Sequence, residues 1–267
     1  GHYYPTGESI IGGTQDNGTR FSNQASETFT RINGGDGAFC AVNQQNEGIR
    51  YVSSQYLNIT RQSNTGNRNI SRDIRDAVGG NDGVWFINPF EINNLDGDQI
   101  YVPTKRATYR SLDGGDSWTE FTADLLGDTY AIGLSDSTNP IAYIGGTASR
   151  LYRVKNAGLE QPDAEESMWT LKYPSFLGST IGCIEVDPNS DSTIYCGLVN
   201  VNIRPRIWRI RNASSSNPIW DDISANLPES LPVNWIEVDP EMSEHILIGT
   251  DYGLYTSLNA GASWQKE

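Results

Sequence analysis

Basic residues, histidine and sulfur are all scarce in this 267-residue chain, and each shortage closes off a class of function. Against 33 Asp and Glu stand 19 Lys and Arg, and just four of these (Lys105, Lys155, Lys172 and Lys266) are lysines. A formal net charge of −14 argues against duplex nucleic acid or an anionic membrane as main partner, since neither polyanion would be neutralised. His2 and His245 are the sole histidines, too few for a His-rich zinc site. Cys40, Cys183 and Cys196 are too few for a disulfide scaffold and lack metal-ligand spacing. No apolar run approaches the ~20 residues that span a bilayer, so no membrane insertion is expected. Sustained helical or heptad periodicity is missing too. The sequence opens at Gly1 without a charged-then-apolar leader, so any export signal is expected to have been removed or to lie outside it.

What is abundant belongs to strands and turns. There are 27 Gly, 13 Tyr and 7 Trp, with Asn, Asp, Ser and Thr throughout. Turns use the small polar residues, and strands use the aromatics. A chain of this length buries roughly three quarters of its unfolded surface and needs no covalent staple.

One segment type recurs: a small or Gly-rich turn, an apolar-aromatic strand, then a polar turn. Its anchors Phe21, Ile59, Tyr109, Tyr152, Trp208 and Tyr255 are spaced by 38, 50, 43, 56 and 47 residues. A second strand type keeps the same beat at Val42, Ile87, Leu134, Val186 and Val238, with steps of 45, 47, 52 and 52. Two signals in phase, with a period in the forties, are the mark of propeller blades. The fold expected is all-β, a β-propeller of about six four-stranded antiparallel blades in a single domain over 1–267. The repeats fall at roughly 1–35, 36–79, 80–127, 128–177, 178–230 and 231–267. The first blade is expected to be incomplete, because it enters directly at Ser9-Ile10-Ile11-Gly12. Its inner edge would then pair with nothing from this chain, and the chain would be a fragment of a larger protein.

A third element is a local motif. Ser111-Leu112-Asp113-Gly114-Gly115-Asp116-Ser117-Trp118 fits Ser-x-Asp-x-Gly-x-x-Trp, and Ser257 to Trp264 fits with Asn259 in place of Asp. Weaker copies run from Ser22 to Phe29, Asn156 to Trp169 and Asn212 to Trp220. A short side-chain oxygen can accept backbone N–H bonds inside such a turn, while Gly permits positive φ and Trp packs back on the sheets. The motif resembles the Asp box of BNR-repeat β-propellers in the sialidase-like superfamily. The broad group includes sortilin-like and xyloglucanase-like propellers, which Ile11 to Thr19 also resembles. The resemblance implies an exported protein, extracellular or at the cell surface, with Asp113, Asn259, Trp118 and Trp264 structural.

Sialidases of this kind carry an Arg-Ile-Pro motif near the start, an arginine triad and a Tyr–Glu pair. Here the nearest string, Ile203-Arg204-Pro205-Arg206, has the wrong order and lies in the fifth repeat. Acidic pairs such as Asp221-Asp222 and Asp96-Gly97-Asp98 are abundant, but the distance between carboxylates is what fixes glycosidase chemistry. No catalytic and no metal-binding residue is therefore assigned. Asn93 to Asp98 reads as a hairpin turn, with a structural calcium ion as the alternative, so no cofactor is otherwise expected. Asn17, Asn58, Asn69 and Asn212 begin glycosylation sequons that chance explains equally well. Pairing Val186 with Thr193 would set Cys183 opposite Cys196, as two buried thiols or as a cross-strand disulfide. The sixth repeat has Trp235 and Ile248 at those positions, which favours plain core packing.

In a propeller, the turns between second and third strands share a face with the blade connections. That places Asp16, Asn17, Tyr56, Lys105, Arg106, Arg150, Arg204, Arg206, Asp251 and Tyr252 as the candidate ligand-binding residues. The longest connection, Asn64 to Gly83, adds Arg68, Arg72 and Arg75. Arginines against an acidic background point to an anionic or carbohydrate ligand. The functional expectation is a non-catalytic binding or scaffold domain for a carbohydrate or protein, associated with other domains or chains of one assembly. A glycoside hydrolase or lyase with carboxylates on the loop face is the alternative.

Overall fold

The computed structural model describes residues 2–3, 9–23, 28–122, 128–164, 166–168, 178–200 and 206–267. Six four-stranded antiparallel sheets, each hydrogen-bonded in chain order, make an all-β, six-bladed β-propeller. Blade one has β1 (His2–Tyr3), β2 (Ser9–Thr14), β3 (Gly18–Asn23) and β4 (Thr30–Asn33). Blade two has β5 (Cys40–Val42), β6 (Arg50–Ser54), β7 (Asn58–Ser63) and β8 (Gly66–Asn69). Blade three has β9 (Glu91–Asn93), β10 (Asp96–Pro103), β11 (Thr108–Ser111) and β12 (Thr119–Thr122). Blade four has β13 (Thr129–Leu134), β14 (Ala142–Gly146), β15 (Leu151–Val154) and β16 (Glu166–Ser167). Blade five has β17 (Ile181–Val186), β18 (Thr193–Leu198), β19 (Ile207–Arg211) and β20 (Ile219–Asp222). Blade six has β21 (Val233–Val238), β22 (Ile246–Thr250), β23 (Gly253–Ser257) and β24 (Gln265–Lys266). The chain forms two compact units, residues 1–125 and 126–267, each holding three blades. Among the described residues the one α-helix is α1 (Arg72–Ala77), between blades two and three, and no helix is long and apolar enough to cross a membrane.

Two details differ from the sequence reading. The repeat pattern leaves β2 without an inner partner, yet His2 pairs opposite Ile11 and Tyr3 opposite Ile10. Blade one is thus three full strands plus a two-residue β1, where the innermost strands of blades four to six have six residues. The first blade is therefore incomplete, as its repeat pattern implies. The one departure is that β2 finds a two-residue inner partner in this chain, since free strand N–H and C=O groups favour pairing wherever backbone can reach. In blade five the hairpin closes on a bond from Asp187 N–H to the Thr193 carbonyl, 2.9 Å. Val186 therefore faces Ile194, and Cys183 faces Gly197 rather than Cys196. A one-residue slip reverses the faces of a strand, and both thiols are free and buried. Burial pushes the Cys183 thiol up to about 12 and raises Cys196 as well.

Blade faces are apolar on both sides, so each blade must be covered by the next. In unit one, Ile59, Ile74, Val84, Ile92, Ile100 and Val102 share one core; in unit two, Ile181, Ile194, Leu198 and Trp208 do the same. Tyr51, Tyr101, Tyr143 and Tyr195 on the second strands are completely enclosed. The Tyr51 hydroxyl donates to the Gly97 carbonyl at 3.2 Å, and Tyr143 donates to Asp191 at 3.1 Å; each acceptor lies in the following blade or its hairpin. A Cβ on Gly145 would sit 2.6 Å from Ile181, and one on Gly197 would sit 2.8 Å from Val233. These glycines let the first strand of the following blade approach closely.

The Ser-x-Asp turn completes the seam. Asp113 Oδ1 accepts from Ser117 N–H (2.8 Å) and Ser111 Oγ (2.7 Å), and Oδ2 accepts from Ser117 Oγ (2.6 Å). Asn259 repeats the pattern, accepting from Ser263 N–H at 2.9 Å and donating to Ser263 Oγ at 2.8 Å. Trp118 Nε1 donates to the Ile70 carbonyl (2.6 Å) and Trp264 Nε1 to that of Ile223 (2.8 Å). Ile70 and Ile223 each directly follow the fourth strand of the preceding blade. Gly115 and Gly261 lie against the same isoleucines, with room for no Cβ and φ near +88° and +84°. Burial raises the pKa of the Asp113 carboxyl, but the Ser117 and Ser111 bonds together outweigh it and hold the group below its ordinary value.

Chemical denaturation should show Trp264→Ala costing about 3–5 kcal/mol, the range for removing a buried Trp, and Asp113→Ala about 1 kcal/mol. The folded carboxyl of Asp113 titrates below the unfolded one. Its stabilisation is therefore complete above the ordinary carboxylate pKa of about 4 and is lost as the pH falls through the lower folded value. Asp113→Asn, the residue of the equivalent turn in blade six, should keep the turn and flatten that acid-side loss in a stability-versus-pH series.

Candidate functional site

In unit one the hairpin tips of three blades are tied to the connections beside them. Asp16 N–H donates to Asp36 Oδ1 at 2.9 Å, and Asp36 N–H donates to Gln55 Oε1 at 2.9 Å. Tyr56 N–H donates to the Phe86 carbonyl at 2.8 Å, and Lys105 N–H to that of Gly83 at 3.0 Å. The Lys105 ammonium lies 5.2 Å from the centre of the Trp85 ring, a cation–π distance. Asp16, Gln55, Tyr56 and Lys105 are thereby fixed along one rim.

The sharpest feature of this rim is the tip of the β6–β7 hairpin. Tyr56 and Leu57 have φ of +58° and +53°, at the positions that Asp16 and Asn17 hold in the tip of blade one. Left-handed backbone costs an L-residue roughly 1–2 kcal/mol, and a bulky residue there signals an imposed geometry. Leu57 offsets the cost by inserting into the core, fully enclosed. Its neighbour Tyr56 is consequently turned outward, 38% exposed, with Phe86 edge-on to it at 5.3 Å and 46% exposed.

Beside Tyr56 lies a cavity of about 380 Å³ lined by Asn33, Gly34, Gly35, Ser54, Gln55, Tyr56, Asn58, Arg75 and Asn81. The lining is amides, a hydroxyl, an aromatic ring and one guanidinium, and among the described residues it contains no carboxylate. Arg75 reaches it from α1, half-buried.

The other expected residues are dispersed. Asn17 is exposed at its hairpin tip, its Nδ2 donating to the Gln15 carbonyl at 3.2 Å. Arg106 is exposed in the β10–β11 turn, its N–H bonded to Thr104 Oγ1 at 3.1 Å. In unit two, Arg150 is half-buried before β15, Asp251 accepts from Asn234 Nδ2 at 2.7 Å, and Tyr252 is exposed. Arg204 lies outside the described residues. Arg206 is 1% exposed, not the open loop residue that its polarity leads one to expect. Its backbone N–H donates to Ser224 Oγ at 2.7 Å and its guanidinium Nη1 to the Asn200 carbonyl at 3.3 Å.

Of the three arginines on the long connection, Arg72 is exposed and Arg68 belongs elsewhere. With Arg61, Arg68 engages Asp116 from a separate cavity of about 500 Å³ on the outer edge of blade two. Arg68 also donates to the Gly115 carbonyl at 3.3 Å, so this cluster clamps the Ser-x-Asp turn of blade three. Asn93 to Asp98 forms the β9–β10 turn, with Asp96 accepting from Asp98 N–H (3.3 Å) and Gln99 Nε2 (3.0 Å). Sequence reasoning missed Asn81 and Phe86. The sequence pattern puts the innermost strand of blade three around Ile87, but the structure places it at Glu91–Asn93 and leaves Phe86 in the connection before it. Phe86 therefore reads as a strand residue, and its exposure is missed.

No protein-family model matches the chain, and no curated protein matches it. Its structure is similar to a GH74 xyloglucanase from Xanthomonas campestris, with a TM-score of 0.72 and 17% identity over 98% of this chain. It is also similar to YCF48 from Cyanidioschyzon merolae, with a TM-score of 0.68 and 12% identity over 95% of this chain. The chain spans 45% of the xyloglucanase and 80% of YCF48. At these identities the likeness is one of fold.

The strained tip yields a checkable order of stabilities. Glycine within a strand pair usually costs about 0.5–1 kcal/mol more than alanine. At position 57 alanine keeps the left-handed strain and glycine relieves it, while both lose the buried leucine. Denaturation midpoints should place Leu57→Gly above Leu57→Ala, with both well below the parent by about 2–5 kcal/mol for the lost side chain.

Proposed function

We propose that this chain is a non-catalytic binding domain of the Asp-box (BNR) propeller kind that takes a carbohydrate at the cavity beside Tyr56. The observation that carries the reading is the pairing of an outward aromatic, held on a strained turn, with a cavity of amide and hydroxyl groups. The C–H face of a sugar ring stacks on an aromatic ring, and its hydroxyls need donors and acceptors that amides supply together. A few convergent polar groups beside an aromatic are the ordinary make-up of a ligand site. The reading assigns no cofactor. It keeps the chain extracellular or at the cell surface, which rests on the resemblance of its repeats.

The alternative, a glycoside hydrolase or lyase, draws support from fold likeness to a xyloglucanase, but fold does not carry activity with it. Glycosidase chemistry needs two carboxylates at set separation, one with a raised pKa. Among the described residues, Asp113 and Asp221 have displaced ionisation, and both are held down: Asp221 chiefly by its bond from Arg211, Asp113 by its own turn. Both serve the sheets.

A protein partner is the second part of the reading, supported by a different face. Trp235, Leu247 and Leu254 on β21, β22 and β23 are all exposed and share one side of blade six, with Trp235 opposite Gly249 and Gly249 opposite Leu254. Contiguous exposed apolar surface of this kind marks contact with other domains or chains.

Titration calorimetry against a panel of plant and bacterial oligosaccharides tests the main reading. At least one should bind, with a loss of about tenfold or more in Tyr56→Ala, roughly 1.4 kcal/mol, and no new reducing ends on long incubation. Turnover that survives Tyr56→Ala would favour the enzyme.

A further inference from the structure

Blade two and the connection after it carry several arginines, and the surroundings of three of them, Arg61, Arg68 and Arg75, differ in one respect. Arg61 and Arg68 share the carboxylate of Asp116. Arg75 has no hydrogen-bond or ion-pair partner for its guanidinium among the described residues, although it is half-buried and lines the Tyr56 cavity. A guanidinium that is partly withdrawn from water carries a desolvation cost, and a paired carboxylate is its usual compensation. In a chain with 33 acidic residues, a cavity with one cation and no described carboxylate in its lining is a local reversal of charge. Asp73 and Asp76 flank Arg75 on α1, but both are exposed and neither lines the cavity.

We infer that the ligand of this cavity is an acidic saccharide, one whose ring carries a carboxylate, with that group on Arg75 and the ring against Tyr56. The inference rests on the carbohydrate reading above and narrows it. Guanidinium and carboxylate match as parallel two-point partners, which fixes orientation as well as supplying attraction. Asn33, Asn58 and Asn81 lie in the same lining and offer amide groups to the remaining hydroxyls. A neutral sugar would leave the guanidinium without an ionic partner among the described residues, so discrimination arises from the partner that the neutral ligand lacks.

The test compares three probes on the full chain by calorimetry: tri-galacturonate, its fully methyl-esterified form, and a neutral xyloglucan-derived oligosaccharide. Tri-galacturonate should bind at least tenfold more tightly than its ester. The preference should weaken as salt is raised and vanish in Arg75→Gln, with Arg75→Lys retaining part of it. Thermal melts that match the parent confirm that each variant is folded. Equal binding of acid and ester, or a preference unchanged in Arg75→Gln, overturns the acidic-ligand inference while leaving the carbohydrate site in place. Binding of none of the three, with Tyr56→Ala equally silent, overturns both.

Discussion

A twisted four-stranded sheet with apolar side chains on both faces cannot stand alone in water, and its two faces must be covered by its neighbours in the chain. That requirement sets the recurring residues of this protein. The second strands of blades four and five carry a glycine, Gly145 and Gly197, where the first strand of the following blade presses in through Ile181 and Val233. A tyrosine on each strand fills the wedge further along, and burial pushes the Tyr51 and Tyr195 phenols up to about 12. The Trp of the Ser-x-Asp turn then donates to the carbonyl that follows the preceding blade's last strand, at Ile70 and again at Ile223. An indole N–H satisfied by backbone costs nothing in lost hydrogen bonds while its ring covers an apolar edge. The motif is therefore a seam between successive sheets, and its carboxylate or amide shapes the turn that aims the ring.

The same seam explains why the rim of unit one is rigid enough to carry a site. Blade connections that must cross from one sheet to the next pass close to the hairpin tips, and their backbone groups bond to them: Asp36 to Gln55, Phe86 to Tyr56, Gly83 to Lys105. A tip tied in this way can hold a left-handed Tyr-Leu pair that a free hairpin would relax. Leu57 gains its burial, and Tyr56 is left facing water. Display of an aromatic ring here is thus a consequence of packing beneath it, which places the local strain and the candidate site on the same hairpin tip.

Much of the fold was legible because blades repeat and a repeat is a statistical signal. The strands around Val186 and Val238, the box at Ser111 to Trp118 and its Asn259 variant all sit in the sheets and turns that their spacing implies. The errors came where one residue decides. Whether Val186 meets Thr193 or Ile194 depends on the length of a single turn, and alternation reads equally well in either register. The two-residue β1 is too short to leave a pattern. Arg206 looked like a loop cation because nothing in Ile203 to Arg206 reveals that Ser224 and the Asn200 carbonyl wait for it inside.

The site was legible in kind and obscure in detail for a related reason. Placing candidate groups on second-to-third strand turns needed the repeat alone, and Tyr56 and Lys105 do lie on such turns. Which arginine matters could not follow from that, because Arg61, Arg68 and Arg75 are equivalent in sequence terms and differ in what surrounds them. Asp116 lies far along the chain from both Arg61 and Arg68, 48 residues from the nearer, so its capture of the two is a tertiary fact. Once those two charges are accounted for as clamps on the following blade, the net charge of −14 ceases to describe the rim. What bears on a ligand there is local, and the lining of the Tyr56 cavity carries one guanidinium and no carboxylate among the described residues.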